Sequence, residues 1–259
     1  MSTITQKLFN EALKYVNGTT LEDFVIGVGL TAVKLSDGRA GVSYTNKGDT
    51  LGRCEEFYKC TGDTGNPQSK VKIGMKTEEL LKIGLFSADP LLRSVAYAAL
   101  NATFSVPEIK KMYKKGDISK FLGVSFEDIV GMIGEITPLI NLWKPLVWDI
   151  LIFDRNRKNE EVFPDWAVVD FLPKCTVVVI TGSAVTNGSI DWVLKYVNTE
   201  RIAIIGPSTP LTPNVFNVKI LAGVEVVDPD KLFDLVSKGA GTKKIIAEKA
   251  VEKVVLIKE

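Results

Sequence analysis

The chain contains no histidine. That absence excludes the Ser-His-Asp and Cys-His nucleophile systems and every zinc site built on imidazole. Acid–base chemistry is left to Asp, Glu, Lys, Tyr, Cys or bound water. Cysteine is scarce: Cys54, Cys60 and Cys175 are odd in number and lack CxxC spacing, so no disulfide framework is expected. Cys175 opens an apolar run and reads as a small apolar residue. Cys54 and Cys60 read as unrelated thiols, with a shared soft metal as the alternative; no metal ligands are assigned, although a divalent ion is not excluded. An excess of either charge is missing too, with 32 basic and 31 acidic side chains, balanced in both halves. No basic face is visible, and nucleic acid is not an expected partner. Finally, there is no signal-peptide pattern and no clean apolar span. The best membrane candidate, residues 136–153, is interrupted by Pro138, Lys144, Pro145 and Asp149. A cytoplasmic protein without a membrane partner is expected, and self-association stays open.

What is present is enough apolar residue for a sizeable core, 46% of 259 residues against 24% charged. The first residues predict an amphipathic helix with Ile4, Leu8, Ala12 and Val16 on one face. Residues 24–35 read as one strand containing Gly27 and Gly29. Asp37-Gly38 marks a hairpin, and residues 41–44 the returning strand. Loops with one more strand near residues 56–60 follow. Next come a helix over 77–84 capped by Thr77 and a nearly all-apolar helix over 88–103. This predicts a small α+β unit over residues 1–105. Asn101 stands out on the last helix, as an amide paired within the protein or offered to a ligand.

Residues 106–259 read differently. After a polar, lysine-bearing connection, short apolar runs at 129–133, 147–153, 176–180, 202–205 and 220–227 alternate with helical patterns, including residues 190–197 and 231–237. The tail over 243–258 reads as one helix, or as a helix followed by a strand at 254–257. That alternation predicts a Rossmann-like, doubly wound, mostly parallel sheet of about five strands. In such sheets ligands bind beyond the carboxyl ends of the strands. The loops there are Thr181-Gly182-Ser183, with Asn187-Gly188-Ser189 ahead of a helix, and the run Gly206-Pro207-Ser208-Thr209-Pro210. Their hydroxyls, glycines and helix start suit a carboxylate, phosphate or ribose. Ser183, Ser208 and Thr209 are read as binders, because no histidine or SxxK lysine activates them. Gly131 and Gly134, followed about 20 residues on by Asp154, match the layout in which an acid holds ribose hydroxyls. Arg155 is either the ion-pair partner of Asp154 or a bidentate anion ligand.

The runs TGSAVTNGSID, GPSTPLTPNVF and LAGVEVVD, with AYAALNA, VGMIGEITPLI and VGLTAVKLSDGRAGVSYT, resemble the "Putative heavy-metal chelation" family. The resemblance covers essentially the whole chain. It implies an enolase N-terminal-like domain over 1–105 followed by a Rossmann-like domain over 106–259. Between them it implies a cleft that Asn101 enters from one side and Gly131, Asp154, the 181–183 loop and Ser208 from the other. Asp154 stands where that family usually has a glutamate before the arginine, which shortens the carboxylate's reach. The expected function is binding of a small anionic or nucleoside- or pterin-like molecule in the cleft, in heavy-metal or metal-chelator metabolism. S-adenosylmethionine and nucleotides are the candidate cofactors. The alternatives are a non-enzymatic metal carrier and an S-adenosylmethionine-dependent methyltransferase.

Overall fold

The computed structural model describes residues 2–50, 70–157 and 159–258. The expected strand near residues 56–60, with Cys54 and Cys60, lies outside them. The chain opens with the helix Ile4–Ala12, which buries Ile4, Leu8 and Ala12 and is capped by Thr3. Three antiparallel strands follow in the order β1 (Leu21–Ile26), β2 (Leu30–Leu35) and β3 (Ala40–Tyr44). Residues 24–35 are thus two strands rather than one. Gly27 N–H donates to the Leu30 carbonyl at 2.9 Å and closes a tight turn. A Cβ at Gly27 would lie 2.4 Å from the Val236 carbonyl oxygen, so only glycine fits where the chain reverses.

The helix Thr77–Leu85 packs against the helix Pro90–Phe104, which covers one face of this sheet. Asp89 caps the second by accepting from Leu91 and Leu92 N–H, and Pro90 occupies its first turn. Thr77 does not cap the first. Its hydroxyl accepts from Thr19 instead, and Lys76 holds the cap position without a side-chain bond. At Gly41, β3 presses so closely on the long helix that a Cβ would stand 2.3 Å from both Ala98 O and Ala102 N.

The larger sheet has seven strands in the order β10-β9-β8-β7-β4-β5-β6. They are β4 (Ile129–Ile133), β5 (Asp149–Phe153), β6 (Val162–Phe163), β7 (Val177–Thr181), β8 (Ile202–Ile205), β9 (Ile220–Val226) and β10 (Val251–Ile257). All neighbours are parallel except β10, which returns antiparallel to β9. Leaving out β10, this is the doubly wound order whose direction reverses between β4 and β7. Two strands exceed the expected five. The tail is a helix, Thr242–Ala247, then a strand, and residues 190–197 shorten to the helix Ile190–Val193 and a 3-10 turn.

Both faces of the parallel strands are buried, which is why they read as continuous apolar runs. Val177 and Val179 face a core with Leu122, Trp143 and Val147, whereas Val178, Ile180 and Ile204 face the other way. That second core also holds Leu8, Leu35, Tyr97 and Leu100, so the two sheets share one apolar interior. The helix Pro229–Ser237 reaches back to close the remaining face of the small sheet, packing Leu232 and Val236 on Leu30, Ala32 and Val42. Among the described residues, no helix is long and apolar enough to cross a membrane.

Candidate functional site

The site grows from the register of β4 and β5. Ile133 lies beside Phe153, so the next residues, Gly134 and Asp154, emerge side by side. Gly134 has φ +85°, and a Cβ there would stand 2.7 Å from Thr181 Cγ2. Glycine lets the β4 turn nestle against the end of β7. The Asp154 carboxylate is held from both sides, Oδ2 accepting from Glu135 N–H (3.2 Å) and Oδ1 from Asn156 N–H (2.8 Å). Each oxygen keeps acceptor capacity for another partner. Asp154 does not pair with Arg155, whose Nη1 instead donates to Asp49 Oδ1 at 2.9 Å, joining the two halves of the chain.

Around these groups lies a cavity of about 590 Å³. Of the residues expected at the site, Gly134, Asp154, Arg155, Thr181, Ser183, Asn187 and Gly188 line it. An adjoining space of about 400 Å³ shares Tyr44, Gly134, Asp154, Thr181 and Ser183, and adds Gly182 and Ser208. Ser183 Oγ sits 3.1 Å from Thr181 Oγ1, a hydroxyl pair rather than a nucleophile and base. Gly182 serves the meeting of two loops: a Cβ would lie 2.8 Å from Thr209 N. Ser208 is buried, and its Oγ accepts from Tyr44 N–H at 2.6 Å.

Three expected residues do not line the cleft. Gly131 is enclosed in β4, where a Cβ would strike Leu172 and Cys175. Asn101 donates to the Val42 carbonyl at 2.8 Å and to the Pro207 carbonyl at 3.4 Å, stitching the two sheets together. Thr209 is buried behind the loop and borders a separate, far smaller cavity with Asn101. The helix after Asn187-Gly188-Ser189 is only four residues long. Asn187 Oδ1 already accepts Ser189 N–H, and Asp191 sits in the first turn accepting Ile4 N–H. It does not present the anion site that the sequence suggests.

Sequence reading missed Tyr44, Asn46 and Asp49, which the small sheet sends into the cavity, and Asp165 and Trp192 on the far wall. Tyr44 ends the returning strand, and only its alternation in GVSY hinted at its direction. Burial, then the charges of Asp49 and Asp154, push the Tyr44 phenol above its ordinary pKa, against the opposing pull of Arg155. Its hydroxyl is therefore a protonated donor at neutral pH. Among the described residues, the larger cavity carries the carboxylates of Asp49, Asp154 and Asp165 against the one guanidinium of Arg155.

Fold and cleft together define a two-sheet α/β protein with a ligand-sized cavity at the switch point of a Rossmann-like sheet. Residues 117–255 and residues 9–104 match two family profiles that carry the same description, "Putative heavy-metal chelation", and the chain belongs to that family. It is similar to an uncharacterised protein of Methanocaldococcus jannaschii, 25% identical over 174 residues that span 62% of this chain and 64% of that one. Two solved structures share the fold, both proteins of unknown function from the DUF364 family. That of Desulfitobacterium hafniense has a TM-score of 0.77 at 22% identity and covers 98% of this chain and 99% of its own. That of Pyrococcus horikoshii has a TM-score of 0.78 at 20% identity and covers 99% and 100%.

The family description names metals, so the donors decide the fit. Among the described residues, no three or more His, Cys, Asp or Glu side chains stand close enough together to hold a metal ion. Cys175 is buried, and burial, helped by the Asp149 charge, pushes its thiol up to about 11. The thiolate that a soft ion requires is thus disfavoured. The described donor set does not fit a thiophilic heavy metal.

Proposed function

We propose that the protein binds a small, hydroxyl-bearing, nucleoside-like molecule in the cleft between its two sheets. The observation that carries this reading is the Asp154 carboxylate beside Gly134 at the switch point of the sheet. It is fixed by two backbone N–H groups, lines the cavity and keeps acceptor capacity on both oxygens, which suits the pairing a vicinal diol makes with an acid at this position. The cavity is of the size that takes a small ligand. Trp192 offers an apolar ring surface on its wall, and the Tyr44 hydroxyl a donor. Of the two ligand classes the loops suggested, an anion is disfavoured by the surplus of carboxylates.

Isothermal titration with adenosine, guanosine and S-adenosylmethionine tests the reading. At least one is expected to bind saturably. Asp154→Asn, which replaces an accepting oxygen by a donor, is expected to weaken it about tenfold or more, with an unchanged circular dichroism spectrum. Absence of binding by all three, or equal affinity in Asp154→Asn, would sink the reading.

A further inference from the structure

We infer that the cleft admits uncharged or cationic ligands and rejects phosphorylated ones. This rests on the nucleoside-cleft reading, sharpens it to a charge class, and separates nucleosides from nucleotides. Two independent observations carry it. The first is charge. Asp49, Asp154 and Asp165 border the larger cavity, whereas Arg155 is the one cation on either wall among the described residues. Its guanidinium already faces Asp49 at 2.9 Å. A phosphate entering here meets like charge on several sides.

The second observation is where the glycine-loop N–H groups point. Phosphate cradles need backbone donors left free by their own fold. Here Gly134 N–H donates to Phe153 O (2.8 Å), Gly182 to Ile205 O (2.8 Å), Gly188 to Val185 O (3.2 Å) and Gly206 to Ala222 O (2.9 Å). Glu135 N–H is taken by Asp154. The loops look like an anion nest in sequence, but these donors are turned inward to hold the loops together.

The electrostatic part is measurable without knowing the natural ligand. In a Cys54→Ser/Cys60→Ser background, Ser183→Cys places one thiol on the shared wall of both spaces. Its rates with 2-(trimethylammonium)ethyl methanethiosulfonate and 2-sulfonatoethyl methanethiosulfonate are compared, each relative to the same chain unfolded in urea. The cation-to-anion ratio is expected to be about tenfold or more above the unfolded value at low salt, and to fall when Asp165→Asn is added. If Ser183→Cys does not fold, Asn187→Cys on the same wall carries the probe. A ratio equal to or below that of the unfolded chain overturns the inference. So does tighter binding of adenosine 5′-monophosphate than of adenosine. Failure of every nucleoside to bind, with the cation preference intact, removes the nucleoside reading and leaves the charge selection standing.

Discussion

Removing the charge of Asp128 should destabilise the protein by about 2–3 kcal/mol while leaving the cleft untouched. Asp128 sits just before β4, at the end of the sheet opposite the site, with its side chain 5% exposed. Arg201 grips it with both terminal nitrogens, Nη1 to Oδ1 at 2.6 Å and Nη2 to Oδ2 at 2.9 Å. Thr176 Oγ1 adds a bond at 2.7 Å and Ser125 N–H another at 2.7 Å. Arg201 also donates to the carbonyls of Leu122 and Gly123, so one guanidinium ties β8 to the loop before β4. Asp128→Asn keeps the shape but turns an amide donor toward other donors. Arg201→Met should cost more, about 3–4 kcal/mol, because it leaves a buried carboxylate and two carbonyls without their partner. The estimate sits at the lower end for buried pairs because Arg201 is 30% exposed. For a chain of this size, Asp128→Asn should lower Tm by about 5–10 °C.

The pH dependence has a definite sign. Burial alone would raise the pKa of Asp128, but the bonds from Arg201, Thr176 and Ser125 outweigh it and hold the carboxyl well below its ordinary value of 3.8. A depressed folded-state pKa adds stability that is fully present above about pH 5 and is lost as pH falls toward and through the folded value. Urea unfolding of wild type and Asp128→Asn at pH 7 and across pH 5 to 2 should show a gap that is constant above about pH 5 and narrows below about pH 4. An Asp128→Asn protein within 1 °C of wild type, or a gap that widens on acidification, would refute the reasoning.

Two further outcomes follow from packing. Gly41→Ala should cost about 3 kcal/mol or more, because its Cβ would meet backbone atoms of Ala98 and Ala102, which cannot step aside. Gly29→Ala, with nothing within 4 Å of the new methyl, should cost far less; equal urea midpoints for the two would be the contrary result. Cys175, buried with its thiol pushed up to about 11, should resist iodoacetamide at pH 8 in the folded protein and react on unfolding in urea. Peptide mapping that finds equal labelling in both states would contradict this.

The larger sheet was legible because burial on two faces leaves a plain signature. Residues 129–133 and 202–205 are continuous apolar runs and are strands with those bounds. The same signature hid the first hairpin. β2 is buried along most of its length and β1 leads straight into it, so residues 24–35 offer no polar break to mark the reversal. Only Gly27 and Gly29 betray it. β6 is two residues long, too short for any period to register. The antiparallel return of β10 is invisible locally, since its partner β9 is fixed by topology rather than by pattern.

The site was half legible for a related reason. Gly134 and Asp154 are 20 residues apart because one crossover separates adjacent parallel strands, and that interval survives in sequence. Tyr44, Asn46 and Asp49 have no such interval. They reach the cleft because side chains far apart in the chain dock the small sheet: Tyr44 on Ser208, Asn46 on Ser94 and Thr186, and Arg93 on the Thr186 carbonyl. Serine, threonine and asparagine in a loop look alike whether they face a ligand or fasten two sheets, and here Ser208 and Asn101 fasten. The carboxylates of the cleft follow from the same docking. Asp49 arrives in the Lys47–Asp49 turn after the small sheet and Asp165 with the turn after β6, so among the described residues a rim that reads as an anion nest in sequence borders a cavity that also carries these carboxylates.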